Sequence, residues 1–233
     1  MSTTADTSQL NLTLDRTKFP MLWIDAIDAY MSWVPITKVQ FEYFLCDRPE
    51  PRFNEKWYDE VLARNARVSP GKIRHNDYWR ALITGVTPDD AKAFAEWCGH
   101  DSDETYELPT RKEWFDAYQA LRVQEALPFS VLATLELTRR AETLLQKLDA
   151  AAEKFQSQGT QKESQRSLAD SMLMHDGVFE WVIDEENRWG GAARPHPELG
   201  GGLINLDGGR PKYPTQVDPP PQYYGFRLIK RDV

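Results

Sequence analysis

Tyr106-Glu107-Leu108-Pro109-Thr110-Arg111-Lys112-Glu113-Trp114 contains every signal of a strand-to-helix junction in nine consecutive positions. Tyr106 and Leu108 alternate with polar neighbours as a strand does, Pro109 fixes a turn, and Thr110 is a favoured helix N-cap. Glu113, three residues on, completes a capping box, in which each side chain satisfies a backbone N–H that the first helical turn would leave orphaned. From Arg111 the residues Trp114, Phe115, Tyr118 and Leu121 recur at helical spacing, with Glu113 and Asp116 near the positive end of the helix dipole. The spacing predicts a helix up to about Leu127-Pro128, and a structural rather than a catalytic role for the whole stretch.

Upstream, the same reasoning predicts two more helices. Thr37 is an N-cap for a helix carrying Val39, Phe41, Phe44 and Leu45 that stops before Pro49. Thr87-Pro88-Asp89-Asp90 combines an N-cap with Pro at the first helical position, and Ala91, Phe94, Ala95 and Cys98 form the apolar face, with Gly99 as the expected C-cap. The apolar run from Phe19 to Val34, interrupted by Asp25 and Asp28, predicts one or two strands. Residues 1–17 are polar and rich in Ser and Thr, so we expect a flexible arm there, followed by a single domain over 18–233. Residues 48–85 have no clear period and predict a long surface excursion carrying Trp57, Tyr58, Tyr78 and Trp79.

Downstream, Leu137, Ala141, Leu144, Leu148, Ala151 and Phe155 step by four and three within a helix-forming segment from Phe129 to Phe155, a heptad seam. Ser157–Thr160 would turn the chain and Gln161–Ser171 would return, with Leu168 and Met172 facing the first helix. The expectation is an α-helical hairpin over about 129–172, its seam either covered internally or offered to another helix. From Asp176 short apolar runs alternate with Gly and Pro clusters, and Tyr223–Ile229 predicts a closing strand. Core helices with scattered strands give an α+β class.

The chain has 233 residues, 41% hydrophobic and 12% aromatic, with eight Trp, enough for one substantial core. Its formal charge of −8 argues against a general nucleic-acid binder, which needs Lys and Arg to displace counterions. No segment approaches the roughly 20 apolar residues of a membrane helix, and the N-terminus lacks a basic start followed by an apolar stretch. Two cysteines, Cys46 and Cys98, are too few for a disulfide framework and fit a reducing cytoplasm.

The order of these segments resembles the formylglycine-generating enzyme, or sulfatase-modifying factor, family. Tyr106–Trp114 is close to that family's Tyr-Arg-Leu-Pro-Thr-Glu-Ala-Glu-Trp pattern. Pro35-Ile36-Thr37 resembles its helix start, Trp97-Cys98-Gly99 a helix end, Gly177-Val178-Phe179-Glu180-Trp181 its Trp-Glu-Trp segment, and Gly225-Phe226-Arg227-Leu228 its closing Gly-Phe-Arg motif. These matches span residues 33–230. The resemblance implies a variant of the C-type lectin fold, here with the helical hairpin inserted. It also implies what is missing, because the aerobic enzymes bind copper through a late cysteine pair and residues 99–233 contain no cysteine. The expected function is therefore that of a pseudoenzyme, a noncatalytic protein-binding module accessory to a multiprotein system, as domains of this family are in bacteria. The alternative is a divergent metal-dependent protein-modifying oxidase or hydroxylase.

Candidate sites follow from residue types. Aromatic and Arg side chains favour interfaces, and the stretch after Asn187 holds Trp189, Arg194, His196, Arg210, Tyr213 and Tyr223 as candidate contacts to a partner protein. His75, His100, His175 and His196 lack metal-site spacing. The resemblance places calcium near Asp176 and Glu180, whose oxygens suit that ion; against that, Glu180 beside Trp181 reads as a buried acceptor of hydrogen bonds. Asp89-Asp90 and Asp184-Glu185-Glu186 read as solvated charges rather than as an acid and base pair.

Overall fold

The alternation of side chains along the apolar run after Asp15 gives a sheet with two buried faces. The computed structural model describes residues 10–47, 56–57, 81–158, 166–174, 179–192 and 224–232. Strands β1 (Leu12–Leu14), β2 (Pro20–Ile24) and β3 (Ala29–Ser32) form an antiparallel meander. The terminal strand β8 (Ile229–Asp232) lies between β3 and β4 (Glu104–Glu107), so the five-stranded sheet has the order β1-β2-β3-β8-β4. A smaller sheet has the order β6-β5-β7, built from β5 (Phe179–Ile183), β6 (Trp189–Ala192) and β7 (Tyr224–Gly225), with β7 parallel to β5.

Residues 10–17 correct the expected arm over 1–17. Leu12, Thr13 and Leu14 pair with Leu22, Met21 and Pro20. The polar turn after them is fixed by Asp15, whose Oδ1 accepts from Thr17 N, Thr17 Oγ1 and Phe19 N at 2.6–2.9 Å. Arg16 then reaches the end of the second long helix, donating to the carbonyls of Trp97 and His100. Long-range pairing fixes this segment despite its polar composition.

All three expected N-caps are present. Helix α1 (Lys38–Asp47) follows Thr37, whose N–H and hydroxyl donate to Gln40 Oε1 while Gln40 N donates to Thr37 Oγ1. Helices α2 (Pro88–Gly99) and α3 (Arg111–Leu121) open with capping boxes of Thr87 with Asp90 and Thr110 with Glu113. Gly99 closes α2 as its last helical residue, with His100 as the C-cap. Its missing side chain is required, since a Cβ there would lie 2.8 Å from the Glu104 carbonyl oxygen.

Helix α3 stops at Leu121, short of the expected Leu127, because the following residues pair with a distant segment. Ala126 N donates to Arg166 O and Leu168 N to Gln124 O. The inserted region also divides differently from its periodicity. Phe129–Thr134 is 3-10 helix, and the long helix α4 (Arg139–Gln158) starts only after Thr138, whose hydroxyl accepts from Ala141 N. In the return segment, helix begins at Leu168, giving the single-turn α5 (Leu168–Ser171) capped by Ser167. Of the turn expected at Ser157–Thr160, Ser157 and Gln158 are still helical, as the last residues of α4, and positions 159 and 160 lie outside the described residues.

The two faces of the large sheet carry separate cores. On one face Leu22, Ile24, Met31 and Ile229 pack with Trp114, Tyr118 and Leu121 of α3 and with Leu144, Leu145 and Leu148 of α4. On the other, Met21, Tyr30, Tyr106 and Leu228 pack with Phe41, Phe44, Phe94 and Trp97 and with Trp181 and Tyr224 of the small sheet. The seam residues Ala141, Leu144, Leu148 and Ala151 are buried in the first core. The heptad pattern therefore reflects intramolecular packing.

Candidate functional site

The Tyr106–Trp114 motif and the two short motifs near the C-terminus converge on one buried carboxylate. Glu180, on β5, receives Arg227 Nε at 2.6 Å and Trp114 Nε1 at 2.9 Å on Oε2, and Arg227 Nη2 at 2.9 Å on Oε1. Arg227 also donates from Nη1 to the Ser32 carbonyl and from Nη2 to the Met172 carbonyl. The guanidinium is 0% and the carboxylate 2% exposed, so this is a fully enclosed, bidentate ion pair with its surplus donors satisfied by backbone. It ties together β3, the residue after α5, β5, and α3 through Trp114. A separate, partly exposed ion pair joins Glu113, at the start of α3, to Arg231 of β8.

This arrangement decides how Glu180 serves the chain. The counter-charge that a calcium ion would bring is already supplied by Arg227, and a dication beside that guanidinium would be repelled, so Glu180 does not fit as a calcium ligand. Asp176, the other residue read toward calcium, lies outside the described residues. No group of three or more His, Cys, Asp or Glu close enough to hold a metal occurs among the described residues.

A second feature is open to solvent. The first turns of α3 (Thr110, Arg111, Lys112 and Phe115) face the end of β5 and the turn into β6 (Ile183 to Arg188) across a cleft of about 780 Å³. Its base is closed by Ile183 N donating to the Pro109 carbonyl. Phe115 is 39% exposed, on the side of α3 away from buried Trp114, Ala117 and Tyr118. The opposite wall is rigid: Asp184 Oδ1 accepts from Glu186 N and Arg188 N at 2.9 Å, and Oδ2 accepts from Arg188 Nε at 2.8 Å. Burial pushes the Asp184 carboxyl up, but these bonds from Arg188 and Glu186 outweigh it and hold the group below its ordinary value. Asp184 is thus a turn-forming residue with 11% of its side chain exposed, rather than the solvated charge expected from the sequence.

Residues 4–232 match the sulfatase-modifying factor enzyme 1-like domain. The chain belongs to that family. Its motifs correspond to the converging residues above: Leu108 and Trp114 enter the two cores, Thr110 and Glu113 launch α3, and Glu180 and Arg227 lock the ends of the domain together. No curated protein gave a match.

The cysteines of this sulfatase-modifying factor-like domain lie at the ends of different helices, Cys46 exposed on α1 and Cys98 buried on α2. Burial, with the Asp15 charge adding to it, pushes the Cys98 thiol well above its ordinary value, so Cys98 is held as a neutral thiol. The late half of the domain supplies no thiolate ligand for copper. Of the residues read as partner contacts, Trp189 is partly buried against the second core with Lys92 Nζ 4.9 Å above its ring. Arg194, His196, Arg210, Tyr213 and Tyr223 lie outside the described residues. The chain segment that carries them leaves β6 at Ala192 and returns at Tyr224, which packs 4.2 Å from Trp181 between ring centroids. The cleft is not legible from periodicity, which places Phe115 on the apolar face of α3. Its place directly after Trp114 was the available signal, since successive helical residues point in different directions.

Proposed function

We propose that this chain is a noncatalytic member of its family, a protein-binding module that serves as an accessory component of a multiprotein system. The observation that carries this reading is the open cleft between α3 and the β5–β6 turn, where a half-exposed aromatic ring stands between two braced walls. Rigid aromatic anchors beside Arg and Lys stems suit a protein partner, because they lose little conformational entropy on binding. The buried seam of α4 leaves its apolar face unavailable, so the reading rests on this cleft and on Trp189, Arg194, His196, Arg210, Tyr213 and Tyr223 of the late region. Absence of cysteine after Cys98, and the engagement of Glu180 by Arg227, speak for the noncatalytic part of the reading. Free thiols and a formal charge of −8 fit a cytoplasmic protein that does not bind nucleic acid generally. Among the described residues no helix is long and apolar enough to cross a membrane.

The test is affinity capture of tagged chain from its native cells, comparing wild type, Phe115→Glu and a Cys46→Ser/Cys98→Ser double variant. A stoichiometric partner retained by the cysteine variant and lost from a folded Phe115→Glu variant is the expected result. Turnover of a protein substrate that disappears with the cysteines or with chelation would instead establish the metal-dependent alternative.

A further inference from the structure

Between α4, α5 and the chain around Leu127–Leu132 lies a small, partly open cavity with about 10 Å³ of room, at the lower bound of what one water molecule needs. Most of its lining is apolar, including Trp33, Leu145 and Leu148, but two polar side chains reach it, Asp149 of α4 and Ser171 of α5. Ser171 is 3% exposed, and its Oγ finds no hydrogen-bond partner among the described residues. Such a hydroxyl enclosed in protein is rare, because donors and acceptors removed from water are nearly always satisfied again. Asp149 Oδ1 stands 2.6 Å from Arg166 Nη2. The Asp149 side chain keeps a quarter of its surface exposed, so its carboxylate has acceptor capacity beyond that contact. An orphaned hydroxyl and a carboxylate with acceptor capacity to spare therefore border the same water-sized space.

We propose that this cavity is a structural water site, one internal water bonded to Ser171 Oγ and to the Asp149 carboxylate, pinning the inserted helices α4 and α5 to each other. The water accepts from or donates to the hydroxyl, which is free to rotate, and donates to the carboxylate. This gives the insert a polar register mark inside an otherwise apolar contact of Leu145, Leu148 and Leu132.

The experiment is a high-resolution crystal structure of the full chain, together with oxygen-17 relaxation dispersion in solution on wild type and Ser171→Ala. The expected result is an ordered water within hydrogen-bond distance of both side chains, and loss of one long-lived water from the relaxation signal in Ser171→Ala. A dry cavity, or a Ser171 hydroxyl donating to the Ser167 carbonyl one turn back, would overturn the proposal. An unchanged relaxation signal in a Ser171→Ala variant with the wild-type circular dichroism spectrum would overturn it as well.

Discussion

Arg227 and Glu180, 47 residues apart, form a two-pronged ion pair with contacts of 2.6 and 2.9 Å and almost no exposure on either side. The pair is the point at which the last strand region closes the fold, and its value depends on both partners being present. Removing one leaves the other charged and enclosed, which costs roughly 3–5 kcal/mol. Arg227→Met and Glu180→Gln should each lower the midpoint of chemical denaturation strongly. The double variant should be more stable than the sum of the singles predicts. Denaturant titrations of the four proteins measure that coupling directly, and additive losses would show that the pair does not act as a unit.

Trp114 contributes to the same node by a separable term. Trp114→Phe keeps most of the ring packing against Tyr118, whose centroid is 5.7 Å away, but deletes the Nε1 donor to Glu180. We expect a loss of roughly 1–3 kcal/mol, the cost of leaving a buried acceptor under-satisfied. Equilibrium unfolding checks it, and a neutral result would mean that Arg227 alone satisfies Glu180.

Much of this architecture is legible in sequence where it is governed by neighbours. Thr37, Thr87 and Thr110 start helices because capping is a contact over three residues, and the apolar face of α2 follows from spacing alone. Long-range contacts are not legible in this way. Leu12–Leu14 looks like part of a polar arm until Met21 and Leu22 pair with it, and the end of α3 at Leu121 depends on residues near Arg166. Glu180 could be read as a cation ligand or as an acceptor, and only the arrival of Arg227 and Trp114 separates the two. The cleft at Phe115 is the least legible part, because exposure of Phe115 depends on which sides of α3 the two sheets cover.

The thiols give a probe of the native state. Cys46 is exposed and Cys98 is buried, with its thiol pushed up by enclosure. A thiol reagent at neutral pH should titrate Cys46 promptly and Cys98 only at the rate of opening or after denaturant is added. Wild type and Cys46→Ser measured by absorbance would separate the two. Rapid native reaction of two thiols would contradict the enclosure of Cys98.

Asp15 predicts a sign for acid stability. Burial raises its carboxyl above the ordinary 3.8, against the lowering effect of hydrogen bonds from Thr17, Phe19 and Gln40. A raised folded value means that the unfolded chain ionises first, so this residue's contribution favours folding most at the acid end. That contribution declines as pH rises from the ordinary value to the raised one. Asp15→Asn removes this titration, so the stability difference, wild type minus variant, should fall as pH increases through that window. Denaturant midpoints at a series of acidic pH values measure it, and a difference rising with pH would show that the hydrogen bonds prevail over burial.

Helix α4 determines how the proposed partner binding can be tested by mutation. Leu144 and Leu148 are each 1% exposed and share a core with Leu22, Met31 and Trp114, so this helix forms a wall of the domain. Leu148→Ala should cost about 2–5 kcal/mol through lost burial and the cavity left behind. Removing the insert altogether would uncover this face of the sheet, and the shortened chain should populate an unfolded or aggregated state. Loss of a partner on deletion would then report unfolding rather than contact. Substitutions on the solvent side of α4, such as Arg140→Glu or Gln146→Glu, avoid the problem because both residues are exposed and surface changes shift stability little. Size-exclusion chromatography and thermal denaturation of Leu148→Ala, the deletion and Arg140→Glu distinguish the cases. A deletion variant that stays monomeric and melts cooperatively near wild type would show that the large sheet is stable without α4.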